Sequence, residues 1–248
     1  MFNVSDGSYD NFMGRFSKPL GPLFADFAGI EAGQRVLDVG AGTGALTAEL
    51  VRRGAETSAA DPSPPFVAAL RERFPDIGIH EAPAEELPWP DESFDAALAQ
   101  LVVTFMRDAP AGIAEMQRVV RPGGVVAVCM WDREGMEMLA AVSRTQQALD
   151  PSRPGSEQQT NYRTRAEIEG LFDDNVEVEL LEVEAGYTGI DEFWNALADG
   201  AGPAGVWAAS LDDAQRAQAR EEISRQVGDP SGPFSLVGRA WAAKVTRA

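Results

Sequence analysis

Short apolar runs alternate with amphipathic stretches over residues 34–131, and no other feature constrains the fold as strongly. Runs such as Arg35-Val36-Leu37-Asp38-Val39 and residues 125–130 are typical of buried strands, while the stretches between them follow helical spacing. Parallel strands need crossover connections, which helices of this length supply. The alternation therefore predicts an α/β fold with a doubly wound, Rossmann-like sheet.

Two further extended segments follow in the second half of the chain. Residues 176–183 alternate polar and apolar side chains with period two, and residues 234–245 form a second extended candidate. We expect these two segments to pair antiparallel at the edge of the sheet. A helix is predicted at residues 135–149, and another, polar helix near residues 211–227.

The charge of the chain bears on its partners. Its 248 residues contain 39 Asp and Glu against 21 Lys and Arg, which gives a formal net charge of -18. A surface of that sign repels nucleic-acid phosphates and anionic lipids. We therefore expect neither a nucleic acid nor a membrane as a partner.

Cysteine content and the length of apolar runs indicate the compartment. The single cysteine, Cys129, lies inside the apolar run 125–130, which indicates a buried thiol and excludes an internal disulfide. The first residues lack the basic and apolar regions of a signal peptide, and no apolar stretch approaches the roughly 18 residues of a membrane span. We expect a cytoplasmic protein.

The most informative stretch is the glycine-rich turn Asp38-Val39-Gly40-Ala41-Gly42-Thr43-Gly44, between the first strand and its helix. Glycines at such a turn let the backbone approach a ligand and leave the first N–H groups of the helix exposed. Asp61 ends the next strand, where a carboxylate can accept hydrogen bonds from ribose hydroxyls. Together these features predict a nucleoside-containing ligand at the carboxyl ends of strands one and two.

Two enzyme classes compete for this turn. Gly40, Gly42 and Ala45 also fit the dinucleotide pattern G-x-G-x-x-G/A, so an NAD(P)-dependent oxidoreductase is the alternative. Asp38 counts against it, because a carboxylate beside the loop suits an ammonium and a sulfonium better than a pyrophosphate. The segment ahead of strand one and the segment after strand three also differ from the dinucleotide pattern.

The likeness to one family extends well beyond the glycine turn. It is carried by Asp61-Pro62-Ser63, by Ala84-Glu85-Glu86-Leu87-Pro88-Trp89-Pro90-Asp91-Glu92-Ser93-Phe94-Asp95 and by Arg118-Val119-Val120-Arg121-Pro122-Gly123-Gly124. With the turn, these motifs resemble those of the class I S-adenosylmethionine-dependent methyltransferases at the expected spacing. The resemblance implies a seven-stranded sheet whose last pair is antiparallel, S-adenosyl-L-methionine as cofactor, and methyl transfer as the activity.

The resemblance also implies a set of cofactor-binding residues. They are Tyr9, Arg15, Asp38, Gly40, Ala41, Gly42, Gly44, Asp61, Pro62, Ala84, Glu85, Gln100 and Leu101. The segment that contains Tyr9 and Arg15 is similar to one that precedes the core in small-molecule members of the family. By this likeness, Tyr9 and Arg15 would close over the methionine end of the cofactor, with Arg15 facing its carboxylate. The alternative for this segment is a surface arm with an incidental arginine.

One departure from the family concerns adenine. Many members carry an Asp directly before Ala84, where this chain has Pro83. Adenine recognition must then depend on the backbone at Ala84 and on Glu85. Pro83 has no side-chain oxygen that could accept from the adenine amino group.

No catalytic acid or base is assigned, and the sequence has no metal-ligand spacing. The only histidine, His80, has no partner in the sequence and is expected to be structural, with a general base as the alternative. Methyl transfer from a sulfonium is an in-line displacement that depends on aligned reactants. Alignment alone can contribute about 7 to 11 kcal/mol.

We expect a single methyltransferase domain over residues 1–248. It would consist of an N-terminal cap segment (1–33), a cofactor-binding core (34–135) and a C-terminal half (136–248) with a helical insertion at 190–231. The acceptor is expected to be a small molecule, because an acidic chain of this length has little spare sequence for gripping a macromolecule. A non-catalytic S-adenosylmethionine-binding protein is the second alternative.

The aromatic residues of the insertion have two interpretations. Phe193, Trp194 and Trp207 would either line an apolar acceptor pocket or bury the insertion against the rest of the protein.

Overall fold

The computed structural model describes residues 12–152, 161–173, 175–199 and 202–248. Its strands are β1 (Arg35–Val39), β2 (Glu56–Asp61), β3 (Gly78–Glu81), β4 (Phe94–Gln100), β5 (Val120–Met136), β6 (Glu177–Tyr187) and β7 (Phe234–Thr246). Its helices are α1 (Gly14–Ala28), α2 (Ala45–Arg52), α3 (Pro64–Arg73), α4 (Ala109–Val119), α5 (Glu137–Leu149), α6 (Arg165–Glu169), α7 (Ile190–Ala198), α8 (Gly202–Ser210) and α9 (Asp213–Gln226). None of the described helices is both long and apolar enough to cross a membrane.

All seven strands belong to one sheet, in the order β3-β2-β1-β4-β5-β7-β6. The pairs β1–β2, β2–β3, β1–β4 and β4–β5 are parallel. The sheet is therefore doubly wound outward from β1, and the predicted fold class is confirmed. Its order differs from the 3-2-1-4-5-6 order of dinucleotide-binding folds, because β7 lies between β5 and β6.

Cross-strand ion pairs give the direction of the last pair of strands. Glu182 pairs with Arg239 at 2.8 Å and Glu177 pairs with Lys244 at 3.3 Å, so positions that descend along β6 meet positions that ascend along β7. The two strands are therefore antiparallel, with β6 at the edge of the sheet, as predicted.

Local signals mark the ends of several elements. Gly54, with φ 77°, follows the end of α2, and Pro64 opens α3 after Ser63 at the N-cap. Asp108 caps α4 by accepting a hydrogen bond from the Ala111 N–H at 3.1 Å.

The predicted start of the helix at residue 135 is wrong by two residues. β5 continues to Met136, and α5 begins at Glu137. Partners on β7 accompany this extension: the Trp241 indole donates to Asp132 at 2.8 Å, and the Val237 N–H donates to Glu137 at 2.7 Å. These partners lie about a hundred residues downstream, so local periodicity could not reveal them.

The chain divides into two compact units. The larger unit contains Ser17–Asp132, Asn161–Leu181 and Ala240–Ala248, and the smaller unit contains the described residues of Met1–Phe16, Arg133–Thr160 and Glu182–Arg239. The larger unit has a core formed by the largely buried strands β1 and β4 and the helices that cover them. The single domain over residues 1–248 stays a prediction.

The smaller unit contains the predicted insertion, where helices α7, α8 and α9 lie between β6 and β7. Its core is aromatic: the Tyr187 ring lies 5.1 Å from Phe193 and 5.4 Å from Phe234, centroid to centroid. Phe193, Trp194 and Trp207 are all buried. Their burial favours the packing interpretation of these aromatics over the pocket interpretation.

Candidate functional site

The glycine turn is fixed to the end of the neighbouring strand. The N–H groups of Gly40 and Ala41 both donate to the Ala60 carbonyl, at 2.8 and 3.1 Å, and the Gly44 N–H donates to the Ala41 carbonyl at 2.8 Å. These bonds hold the turn at the carboxyl ends of β1 and β2, which is where the sequence predicts the ligand.

The three glycines of the turn have positive φ, but their surroundings differ. A Cβ at Gly40 would lie 2.3 Å from a methyl group of Val102, and one at Gly44 would lie 2.7 Å from the Phe74 ring. A Cβ at Gly42 would meet no described atom within 4 Å. Gly40 and Gly44 are therefore required by packing, while Gly42 borders open space that a ligand could occupy.

Asp61 joins the end of β2 to the glycine turn. One carboxylate oxygen accepts from the Gly42 N–H and the other from the Ser63 N–H, both at 2.8 Å. The side chain is buried, and this burial raises the pKa of Asp61 while the two N–H bonds oppose the rise. Each oxygen keeps a second lone pair, so the carboxylate can still accept two ribose hydroxyls. Pro62, between Asp61 and Ser63 in sequence, is exposed.

Asp38 is the second buried carboxyl of this region, with only 1% of its surface exposed. The Thr47 hydroxyl donates to it at 2.6 Å. Burial raises the pKa of Asp38 to about 7, the Thr47 hydrogen bond lowers it, and the nearby Asp61 raises it further. An ionised Asp38 would be a strong attraction for a cation in a region from which water is largely excluded.

Ala84 and Glu85 follow β3 on the side where adenine recognition is predicted. Ala84 is buried, and Glu85 is partly exposed. One Glu85 oxygen accepts from the N–H groups of Arg107 and Asp108, at 2.6 and 3.0 Å. The structure thus gives the Glu85 carboxylate a backbone partner, and its contact with adenine stays a prediction.

Arg118 holds the loop that follows Glu85, a role that the sequence analysis missed. Its guanidinium donates to the Leu87 carbonyl at 3.1 Å and to the Trp89 carbonyl at 2.9 Å. It also pairs with Glu115 at 2.7 Å and with Asp91 at 2.8 Å. The i, i+3 spacing of Glu115 and Arg118 was a readable signal, but the loop that they hold lies far away in sequence.

Gln100 is the last residue of β4 and Leu101 follows it, so both lie at the carboxyl end of this parallel strand. The Gln100 amide donates to the Ser17 carbonyl at 2.9 Å, and its Oε1 is buried without a hydrogen-bond partner among the described residues. Leu101 has φ 61°, and its N–H donates to the Cys129 carbonyl at 2.9 Å. A left-handed non-glycine residue is often found at functional sites.

Tyr9 lies outside the described residues. Arg15 belongs to the smaller unit, where its guanidinium pairs with Glu192, donates to the Gly186 carbonyl at 3.0 Å and lies 5.0 Å from the centroid of the Tyr187 ring. The contact of Arg15 with a methionine carboxylate stays a prediction.

His80 is exposed and lies edge-on to the Trp89 ring, at 4.7 Å between centroids. This contact accords with the structural role expected for it. Within the described ranges, no group of three His, Cys, Asp or Glu side chains could hold a metal ion.

The smaller unit has an open cavity of about 410 Å³. Its lining includes two aromatic residues, Tyr187 and Phe234, together with Thr188 and the carboxylate of Glu192. Hydrogen bonds from Thr188 and Arg15 lower the pKa of Glu192 to about 2, which keeps it ionised.

Comparison with known proteins identifies the core. Residues 37–128 match a family profile described as a methyltransferase domain. These residues form a class I methyltransferase domain. The matched range runs from β1 into β5 and contains Asp38, the glycine turn, Asp61, Glu85 and Gln100. The resemblance predicted from the motifs is therefore confirmed.

Curated relatives match part of the chain. An uncharacterized protein of Mycobacterium tuberculosis is 32% identical over 176 residues, which are 68% of this chain and 63% of that protein. The chain thus spans less than two thirds of the length of the curated relatives that it matches first.

Two solved structures share the fold over nine tenths of this chain, which includes the methyltransferase domain. A candidate type II methyltransferase from Anaeromyxobacter dehalogenans superimposes with a TM-score of 0.64 at 24% identity, over 92% of this chain and 95% of that one. A Haemonchus contortus N-methyltransferase, solved with phosphomonomethylethanolamine and S-adenosylhomocysteine, has a TM-score of 0.57 at 17% identity, over 93% of this chain and 53% of that one.

Proposed function

We propose that this chain transfers a methyl group from S-adenosylmethionine to a small-molecule acceptor. The observation that carries the proposal is the bond between Asp61 and Gly42, at 2.8 Å, beside the open space at Gly42. It puts an acceptor for ribose hydroxyls next to a stretch of backbone that a ligand can approach. Both features lie at the carboxyl ends of adjacent parallel strands, where α/β folds bind ligands.

The residues present fit the chemical groups of this cofactor. Asp61 would accept the ribose hydroxyls, and Gly42 would let the backbone pass close to the methionine part. Asp38 would supply negative charge for the ammonium and the sulfonium. The backbone at Ala84 would meet the adenine.

The bound cofactor supplies an electrophilic methyl group on a positively charged sulfur. The contribution of this chain is to position the cofactor. The glycine turn, Asp61 and Leu101 lie at the carboxyl ends of parallel strands, and hydrogen bonds to backbone groups fix their geometry. Aligning two reactants in this way can lower the barrier by about 7 to 11 kcal/mol without any acid or base.

A small acceptor agrees with the charge of the chain. The formal net charge of -18 opposes binding to nucleic acids and anionic lipids. The N-methyltransferase with the same fold was solved with the small molecule phosphomonomethylethanolamine.

Two experiments test the proposal against its alternatives. Isothermal titration calorimetry should detect binding of S-adenosylhomocysteine and no binding of NADH, and the opposite result would establish the oxidoreductase alternative. Incubation with radiolabelled S-adenosylmethionine and a panel of small amines, phenols and thiols should then transfer label to at least one compound. Tight binding without transfer to any of them would favour the non-catalytic alternative.

A further inference from the structure

Glu85 connects two segments that flank the proposed cofactor site. We propose that Glu85 is a positioning residue, which holds the turn at residues 101–108 in place for S-adenosylmethionine binding without contacting the cofactor. This inference rests on the proposed function. It departs from the sequence-based expectation that Glu85 contacts the adenine.

The contact consists of two hydrogen bonds from backbone N–H groups to the Glu85 carboxylate. A single Glu85 oxygen accepts from the Arg107 N–H at 2.6 Å and from the Asp108 N–H at 3.0 Å. These groups immediately precede α4, where the first N–H groups of a helix have no partner within the helix. A carboxylate suits this place because it accepts both bonds and carries a charge that the start of a helix stabilises.

The opposite end and the middle of the same turn are fixed by different contacts. The Leu101 N–H donates to the Cys129 carbonyl at 2.9 Å. Val102 fills the space beside Gly40, where a Cβ would lie 2.3 Å from its methyl group. A shift of the turn therefore moves the side chain that packs directly on the glycine turn.

A second surface joins the adenine side to the turn. A Cβ added at Gly112 of α4 would lie 2.7 Å from the Met106 sulfur and 3.3 Å from the Ala84 Cβ. Ala84 and Met106 thus pack against the same glycine on the same helix. The Glu85 hydrogen bonds and the packing at Gly112 therefore connect the loop at Ala84, the turn at Met106 and α4.

The test separates positioning from direct contact by removing a group from the ligand as well as from the protein. The ligands are S-adenosylhomocysteine and S-inosylhomocysteine, which has a carbonyl in place of the adenine amino group and cannot donate from that position. The variants are Glu85→Ala, Glu85→Gln and the control Glu86→Ala, whose side chain is exposed next in sequence. Dissociation constants are measured for each combination, together with amide hydrogen exchange at Arg107 and Asp108 in the ligand-free protein.

Positioning predicts that Glu85→Ala weakens both ligands by the same factor, about 2- to 30-fold. Exchange at Arg107 and Asp108 should rise in Glu85→Ala, while Glu85→Gln, which keeps an acceptor oxygen, and Glu86→Ala should stay near the wild type. Equal affinity of Glu85→Ala and the wild type for S-adenosylhomocysteine would overturn the inference. So would a loss confined to S-adenosylhomocysteine, because it would establish direct contact with the adenine amino group.

Failure of the proposed function has a different signature. If the chain does not bind the cofactor, the wild-type protein itself binds neither ligand, and if it binds the cofactor without transferring a methyl group, labelled S-adenosylmethionine gives no product; both results are independent of the exchange rates of the two amides.

Discussion

Thr47 donates a 2.6 Å hydrogen bond to Asp38, and this hydroxyl is the one side-chain donor that the described residues offer to a carboxyl with 1% of its surface exposed. Asp38 belongs to β1 and Thr47 to α2, so this hydrogen bond connects the two elements that flank the glycine turn. Burial raises the pKa of Asp38 to about 7, so its charge changes close to neutral pH.

The contribution of Asp38 to the stability of the ligand-free protein should therefore fall as the pH rises from about 4 to about 7. In this window the folded protein binds a proton at Asp38 that the unfolded chain, with an aspartate pKa near 4, has released. Asp38 changes the free energy of unfolding by at most about 1.4 kcal/mol per pH unit. Urea denaturation of the wild type and Asp38→Asn at pH 5 and pH 7.5 measures the difference. Parallel pH dependences of the two proteins would contradict the raised pKa.

Binding of S-adenosylmethionine near pH 7 should release a proton from Asp38. The cationic ligand favours the ionised carboxylate, so its affinity should rise with pH through about 7. Calorimetry in two buffers of different ionisation enthalpy measures the number of protons released. Asp38→Asn is the needed control, because the α-amino group of the ligand also titrates, near pH 8. An unchanged proton count in Asp38→Asn would assign the proton to the ligand.

Gly42→Val should abolish binding of S-adenosylhomocysteine while the protein remains folded. Its side chain would enter the space beside the turn, and its backbone would be strained at φ 54°. Gly33→Val is a matched control, because Gly33 also has positive φ and open surroundings but precedes β1. Both variants should lose comparable stability in thermal melts, and only Gly42→Val should lose binding. If both bind normally, the cofactor does not pass Gly42.

Asp61→Ala should weaken binding of S-adenosylmethionine at least about tenfold, because hydrogen bonds to a charged group contribute about 1.5 to 3 kcal/mol. Asp61→Asn should be milder, since its amide oxygen can still accept from the Gly42 N–H or a ribose hydroxyl. Asp76→Ala, at an exposed aspartate ahead of β3, should bind as the wild type does. Melting temperatures of the same variants identify the contrary case, in which Asp61 supports only the turn and affinity is unchanged.

The sequence was sufficient where the decisive partner is close by in the chain. The glycine turn and the alternation of strands and helices up to β5 follow from local spacing, and the structure confirms them. The resemblance to the family adds the seven strands and the antiparallel last pair, which the structure has.

What the sequence could not provide depends on distant partners. Glu85 binds backbone more than twenty residues downstream, and Arg15 pairs with Glu192 on another element altogether. Neither partner stands at a helical or strand spacing that would identify it. The resemblance assigns both residues to the cofactor by their position alone, so these two roles are the ones that binding measurements must decide.

The position of β7 also has a consequence for biosynthesis. This strand lies between β5 and β6, although β6 precedes it in the chain. On a ribosome, β6 emerges before β7, which is its neighbour in the described sheet, and until β7 arrives the outer edge of β5 has unpaired N–H and C=O groups. The nascent chain therefore passes through a stage in which β6 is not paired with β7 and the outer edge of β5 is free to pair with other strands. β7 can cover that edge only after residues 234–246 have left the exit tunnel.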